Sequence, residues 1–456
     1  MPAYDRRALE PGVVHMSVGS FHRSHQAVYF DDLAHTGNRD WGVVGIGLGR
    51  RRLREALAPQ DGLYTVLARG ADRDEARVVG AMTSYCLAPE EEPAALAVLA
   101  DERTALVTLT VTAAAYEPER YRSGGAVELL ARALDHRRRA GRGPFTVLSC
   151  DNLPENGGLA RRAVVSFAAA RDERLAAWIE QHVAFPNSMV DRITPQTDVA
   201  DREALRRDFG VIDRWPVVTE PYSQWILEDD FCNRRPPLET VGAQFVADVA
   251  PYALMKTRLL NASHCALGFL GTLAGLRSTD EAMRDSVLYA YVERFMHAEV
   301  TPLLPRVPGV DLRAYMRSLC ERLANPRIGD SLRRLCRAAS SKVPAHVLPS
   351  IAQARSRGTE HGLLTMAVAA WFRCLRGTDE LGRRLAVDDP LAESLVAAAV
   401  RGGSDPRPLL AACPGFGPLR EDEGFVAALT DALADLDRWG VRVAVGERLG
   451  EARIAA

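Results

Sequence analysis

Lysine is almost absent from this chain. Of its 57 basic residues only Lys256 and Lys342 are lysine, and arginine fills every other cationic position. No stretch approaches the roughly 18 to 20 consecutive apolar residues that span a bilayer. The opening Met1 to Arg7 lacks the apolar core of a signal peptide. The eight cysteines (Cys86, Cys150, Cys232, Cys265, Cys320, Cys336, Cys374 and Cys413) are scattered without a C-x-x-C pair. That argues against a disulfide framework and against a local metal motif, and it makes the cytoplasm the expected compartment. Net charge is only −2, so no global field draws the chain to nucleic acid or to a membrane surface. Internal repeats and low-complexity linkers are also missing.

What is present is the composition of a soluble globular protein, with 47% hydrophobic and 25% charged residues over 456 positions. That length can bury two sizeable cores. The first half alternates apolar runs with helical patterns. Residues 13–18 form a short apolar run before Gly19, residues 27–33 look helical, and residues 41–48 give a second apolar run. Strand, glycine turn, helix and strand in about 35 residues make the first unit of a dinucleotide-binding fold. The glycine signal is incomplete, because Ser17 stands where the first fingerprint glycine belongs and the third is absent. A β-α-β unit without a nucleotide would look much the same.

Further strands are expected at 64–68, 105–111 and 145–150, with helices around 127–139 and 160–182, all in one parallel sheet with crossover helices. Ligands of such sheets gather at the carboxyl ends of strands. This places Thr110 and Thr112, and separately Asp151 and Asn152, near a bound dinucleotide, although Asp151 and Asn152 are equally natural turn formers. Around the first turn the expected cofactor contacts are Val18, Gly19, Phe21 and Arg23. From about residue 246 the texture becomes alanine- and leucine-rich and helical to the end. The division expected is a Rossmann-like dinucleotide-binding domain over 1–245 and a mostly α-helical domain over 246–456. Lys342 is expected in a polar loop after a helix bearing Arg333 and Arg334.

The scarcity of lysine singles out Lys256. An arginine keeps its proton in a protein, whereas a partly buried lysine can act as a base. Leu254, Leu259, Leu260, Leu267 and Leu270 recur at helical spacing around it. On an ideal helix Asn261 lies about 140° round from Lys256 and His264 about 80° round, within about 12 Å along the axis. A base, an amide donor and an imidazole on one side of a helix suit proton abstraction from an alcohol. A polar stripe facing solvent is the blander account.

The stretches VVHMSVGSFHRSHQAVYFDDL, WGVVGIGL, SCDNLPENG, FPNSMVDRITP, EPYSQWILED and MKTRLLNASH, in that order, resemble the polyol-specific long-chain dehydrogenases, the family of mannitol 2-dehydrogenase. The match covers most of the first domain and the start of the second, and is looser through NPRIGDSLRRL and SSKVP. The resemblance implies a two-domain, metal-independent dehydrogenase acting on a polyol or its ketose with NAD or NADP. It implies Lys256 as the base, Asn187 and Asn261 as hydrogen-bond donors to the developing alkoxide, and His264 as the residue orienting the substrate. Asp229, Arg334 and Lys342 would contact other hydroxyls, with Arg333 as the rival of Arg334. A reductase of keto-sugar acids (fructuronate or tagaturonate type) is the alternative within the class. A nucleotide-binding protein whose chemistry has lapsed is the alternative outside it, because glutamates common in the family are replaced here by Ala113 and Ala253.

Cofactor choice has its own signal. Such folds select NAD through an acidic residue at the end of the second strand, and arginine there favours the 2′-phosphate of NADP. Here the strand is followed by Gly49-Arg50-Arg51-Arg52, with no acid before Glu55. The expectation is that NADP(H) is accepted at least as well as NAD(H), with Arg50 or Arg51 at the phosphate. A solvated arginine run is the alternative.

Overall fold

The computed structural model describes residues 1–49, 51–118 and 125–450. The chain divides into two compact units, Met1–Ala253 and Leu254–Ala456. The first contains eleven strands among its described residues: β1 Val13–Met16, β2 Val43–Gly47, β3 Tyr64–Arg69, β4 Asp74–Val79, β5 Met82–Leu87, β6 Leu106–Leu109, β7 Thr146–Ser149, β8 Ser188–Asp191, β9 Val217–Thr219, β10 Gln224–Glu228 and β11 Gln244–Val246.

Five of these form a wholly parallel sheet in the order β5-β2-β1-β6-β7. Its central strands are near-continuous apolar runs because both faces are covered. Alternate side chains go to opposite sides. Val14, Met16, Val44, Ile46, Val107 and Leu109 enter the core on one face. Val13, Val43, Leu106 and Leu148 pack on the other, against Tyr29, Phe30 and Trp225. After β1 the chain continues to β2 on one side, while β6 lies on the other. The carboxyl end of β1 is therefore the topological switch point, where open α/β sheets bind ligands.

The Rossmann-like expectation holds, with two local differences. The strand at 64–68 forms, but outside the parallel sheet: β3 pairs antiparallel with β4 and parallel with β9. The tight return at Gly70 to Arg73, closed by a 2.9 Å backbone hydrogen bond, makes β3 and β4 a hairpin. The edge of the main sheet is taken instead by β5. The helix expected over 160–182 is two helices, Asn156–Ala169 and Glu173–His182. Asp172 breaks it, because its carboxylate accepts from the Arg174 amide at 2.9 Å and starts a new helix.

The regular elements of the second unit among its described residues are all helices, apart from an isolated bridge between Ser278 and Ser331 and another between Thr378 and Arg384. The helix Ala262–Leu273 is buried on nearly every side and packs against Gly362–Cys374, which packs in turn on Glu423–Leu449. Gly268 and Gly271 let the short helix Leu332–Cys336 come close. A Cβ at Gly268 would lie 3.0 Å from the Leu335 Cβ, and one at Gly271 would lie 2.7 Å from Leu332 Cδ1. No helix among the described residues is long and apolar enough to cross a membrane.

Candidate active site

The Lys256 segment is helical from Ala250 to Leu273, but not uniformly so. An α-helix ends at Lys256, the turn Thr257–Asn261 is a π-helix, and α-helix resumes at Ala262. The wide turn corrects the ideal-helix estimate of about 140° between Lys256 and Asn261. An i→i+5 turn carries one more residue round the axis, so Asn261 returns towards the side of Lys256. The candidate base and the candidate amide thus stand at the two ends of one such turn. Turns of this kind are often found at functional sites. Arg258, inside the turn, is buried and donates to Gln353 and, at 3.4 Å, to the Leu303 carbonyl, which anchors the segment.

Lys256 is buried, at 7% exposure. Asn261 and His264 are half-buried, and the Asn261 Nδ2 is buried without a hydrogen-bond partner among the described residues. Lys342 does not lie in a loop: it sits in the helix Ala339–His346, entered through Ala338 in the left-handed region at φ 51°. The sequence around it is polar and contains Pro344, which hid the helix. Lys342 Nζ donates to the carbonyls of Leu335 at 3.1 Å and Arg334 at 3.4 Å. Burial lowers its pKa.

The helix Ala339–His346 packs against the π turn and against Ala262–Leu273. His346, which the sequence reading missed, is drawn in with it. Burial, then the charges of Lys256 and Lys342, hold its imidazole down to about 4. The two lysines of the chain, 86 positions apart in sequence, therefore both act on one imidazole. Of the two candidate arginines, Arg334 is the one that meets Lys342. Its carbonyl receives Lys342, and its guanidinium is clamped on the buried carboxylate of Asp330, with Nε 2.6 Å from Oδ1. Arg333 is exposed and lines a separate small cavity with Cys336 and Cys374.

In the first unit, Val18, Gly19, Phe21 and Arg23, the residues expected near a dinucleotide, lie in or just after the turn that follows β1. Ser17 adopts φ 71°, the left-handed region in which glycine is the easier residue. Thr110 holds the turn, its hydroxyl donating to the Ser17 carbonyl at 3.0 Å and meeting His15 Nε2 at 3.0 Å. Val18 is core, packed with Leu53, Tyr64 and Val66. Gly19 caps the helix Ser20–Ser24, and the Phe21 ring stacks on His25 at 5.1 Å. Arg23 is buried, donates to the Trp215 carbonyl and lies 5.1 Å over the Tyr64 ring.

A cleft of about 470 Å³ opens beside this turn, lined by Gly19, Arg23, Gly49, Arg51, Arg52 and Trp215 among others. It lies at the ends of β1 and β2, and its arginines suit a phosphate-bearing ligand. Trp215 was not anticipated, since no spacing rule connects it with a turn nearly 200 positions earlier. Arg50 lies outside the described residues. Arg51 is mostly exposed and ion-paired with Glu90, which also meets Arg54. An acid therefore does reach this arginine run, from a helix that begins more than 30 residues later.

Asp151 and Asn187 are fixed by several bonds each. The Asp151 carboxylate, raised in pKa chiefly by burial, accepts from the amides of Val111 and Thr112 at 3.2 and 2.7 Å and from the Tyr116 hydroxyl at 2.6 Å. It thereby holds the turn after β6, where Thr112 has φ 73°. Asn152 beside it is exposed. Asn187 receives the Gly157 amide on Oδ1 at 3.0 Å and donates from Nδ2 to both oxygens of Glu228, at 3.0 and 3.1 Å. Glu228 ends β10, and Asp229 after it is exposed and paired with Arg235 at 3.1 Å. Ala113 is exposed and Ala253 half-buried.

Two family models match the chain: the mannitol dehydrogenase Rossmann domain over residues 11–240 and the mannitol dehydrogenase C-terminal domain over 248–437. A mannitol 2-dehydrogenase of Aspergillus fumigatus is 42% identical over 97% of this chain and 94% of its own length. A mannitol dehydrogenase of Saccharomyces cerevisiae is 41% identical over 99% and 95%. Among solved structures, the ternary complex of Pseudomonas fluorescens mannitol 2-dehydrogenase with NAD and D-mannitol matches with a TM-score of 0.90 and 38% identity, covering 99% of this chain and 96% of that one. A substrate-free D-sorbitol dehydrogenase matches with a TM-score of 0.87 and 32% identity, over 97% and 96%. With its strand order, its helical second unit and both family models in sequence, the chain belongs to the mannitol dehydrogenase family.

Proposed function

We propose that this chain is an NAD(P)-dependent oxidoreductase interconverting a sugar alcohol and its ketose, with Lys256 as general base. One observation carries the reading: a buried lysine and an amide with an open donor stand at the two ends of a single π turn. The family supports it, since its relatives are mannitol dehydrogenases and one is seen with NAD and D-mannitol. A nicotinamide dinucleotide held at the cleft beside Gly19 and Arg23 would supply the hydride acceptor for the carbinol carbon. Lys256 removes the hydroxyl proton as the carbon–oxygen bond gains double-bond character. Asn261 Nδ2 donates to the oxygen while it carries negative charge, and fixed donors of this kind are worth most where water is excluded. Asn187 enters as a second donor through the amide hydrogen that Glu228 leaves over. His264 orients the substrate, and Lys342, with two of its three donors on carbonyls, has one for a further hydroxyl. Arg334 and Asp229 are the remaining substrate contacts of the proposal. In reduction, Lys256 as ammonium returns the proton to the ketone oxygen.

The residues of the cleft fit a dinucleotide. Arg23, Arg51 and Arg52 supply guanidinium donors for its phosphates, and Gly19 lets the turn approach them. Val18, Phe21 and Thr110 shape that turn, and Asp151, with Asn152 beside it, holds the turn after the neighbouring β6. NADP(H) is accepted alongside NAD(H), because Arg51 and Arg52 can meet a 2′-phosphate, with Glu90 as their competitor. No step of the scheme calls for a metal ion.

The test is a panel of polyols and ketoses assayed with both nicotinamide cofactors. Turnover of a polyol/ketose pair is the expected result. Preference for fructuronate over fructose would move the reading to a keto-sugar acid. No turnover across the panel with cofactor still bound would favour a lapsed enzyme.

A further inference from the structure

The helix Ala339–His346 brings two polar groups to the Lys256 segment, and only one of them has been given work. Lys342 and His346 are four residues apart, so they project from the same face of this helix. That helix packs against both the π turn and Ala262–Leu273. The His346 Nδ1 is buried and has no hydrogen-bond partner among the described residues. A buried polar atom left unpaired is costly, and native proteins rarely tolerate one without a use for it. Asn261 Nδ2, on the packed π turn, is in the same condition. Two unpaired atoms on touching elements mark a place that a polar ligand completes.

The charges select the ligand's chemistry. Lys256 on the first helix and Lys342 on its own helix both face His346, and together with burial they keep its ring uncharged at neutral pH. A neutral imidazole has one donor and one acceptor nitrogen. A hydroxyl can complement Nδ1 in either tautomer, because it both gives and takes a hydrogen bond. An ionised carboxylate can complement only the protonated nitrogen.

We propose that His346 is a further substrate-contacting residue of the Lys256 site, its Nδ1 hydrogen-bonding a hydroxyl of the polyol or ketose. This rests on the polyol dehydrogenase reading above, and it adds a residue that sets which hydroxyl pattern is accepted.

The experiment compares the unaltered protein with His346→Ala, His346→Asn and His346→Gln on a good ketose and on analogues each lacking one hydroxyl. His346→Ala should raise KM for the full substrate at least tenfold, with KM for the cofactor unchanged. The penalty for removing one particular hydroxyl should vanish in that variant, while the other penalties persist. His346→Asn, whose amide nitrogen occupies the place of Nδ1, should restore binding better than His346→Gln. That ordering also stands in for His346→Ala should the smaller side chain destabilise the fold. Unchanged penalties at every position in all variants would overturn the assignment and leave Nδ1 to a water. Failure of the unaltered protein to turn over any polyol or ketose would take down the functional reading and this inference together.

Discussion

Asn187 and Asn261 carry the same amide, and the two units treat it in opposite ways. Asn187, in the first unit, is engaged on both ends, by the Gly157 amide and by the Glu228 carboxylate. Asn261, in the second, keeps a buried Nδ2 with no partner among the described residues. The cations divide similarly. Around the cleft of the first unit they are arginines, with Arg51 paired to Glu90 and Arg23 turned to a backbone carbonyl. Around the π turn of the second unit the two lysines, one buried and one half-buried, both bear on His346. Arginine holds charge permanently and suits binding an anion, whereas a desolvated lysine can exchange a proton. On the proposed reading, the first unit holds the cofactor and the second moves the proton.

The largest expected effect is at Lys256. Lys256→Ala should lower kcat by about three orders of magnitude, within the usual range for a positioned general base, and leave cofactor affinity intact. Normal turnover in that variant, measured with a good substrate, would erase the contrast between the units.

Next come the two asparagines, which test the contrast directly. Asn261→Ala should lower kcat by about 10² to 10³, as loss of an alkoxide donor does, with little change in Tm. Asn187→Ala should cost about 1–3 kcal/mol of stability, because the half-buried Glu228 carboxylate loses its amide partner. If Asn187→Ala lowers kcat as far as Asn261→Ala at unchanged Tm, its donor role outweighs its structural one. Thermal melts beside steady-state assays give both readouts.

A smaller effect is expected at the cleft. Glu90→Gln should release Arg51 and raise the ratio of kcat/KM for NADP over NAD by several-fold, on the order of 1 kcal/mol for a partly exposed pair. An unchanged ratio would remove Arg51 from the phosphate site. A hundredfold preference of the unaltered protein for NAD would remove NADP from the proposal altogether.

The smallest effect is on pH dependence. His15, lowered to about 3 by burial, and His346, lowered to about 4, stay uncharged in the fold. Unfolded, each would take up a proton near pH 6.5. The unfolded chain then binds more protons at these two groups, so their contribution to stability falls as pH drops from about 6.5 towards 4 and is constant above. His346→Gln should lessen that slope by at most one proton, or about 1.4 kcal/mol per pH unit. Denaturant melts between pH 7 and 5 measure it, and an identical slope would mean that His346 titrates normally.

Much of this protein was legible in its sequence because the signals are local. Apolar runs buried on both faces announce parallel strands wherever they occur, and β1, β2, β6 and β7 fall where those runs lie. The scarcity of lysine pointed to Lys256, and the spacing of its neighbours to Asn261 and His264. Other features escaped, most of them because they depend on chain segments far apart. Whether β3 joins the main sheet is decided by its pairing with β4 and β9, not by its own residues. The acid that meets the arginine run is Glu90, brought from a later helix, so the nearby sequence looked free of acids. The π turn alters the angle between Lys256 and Asn261, and the helix bearing Lys342 sets His346 against it, which no periodicity encodes. Residue types and local spacing thus determined which groups this chain has for the chemistry. Tertiary packing alone decided which of them are left with a hydrogen bond to give.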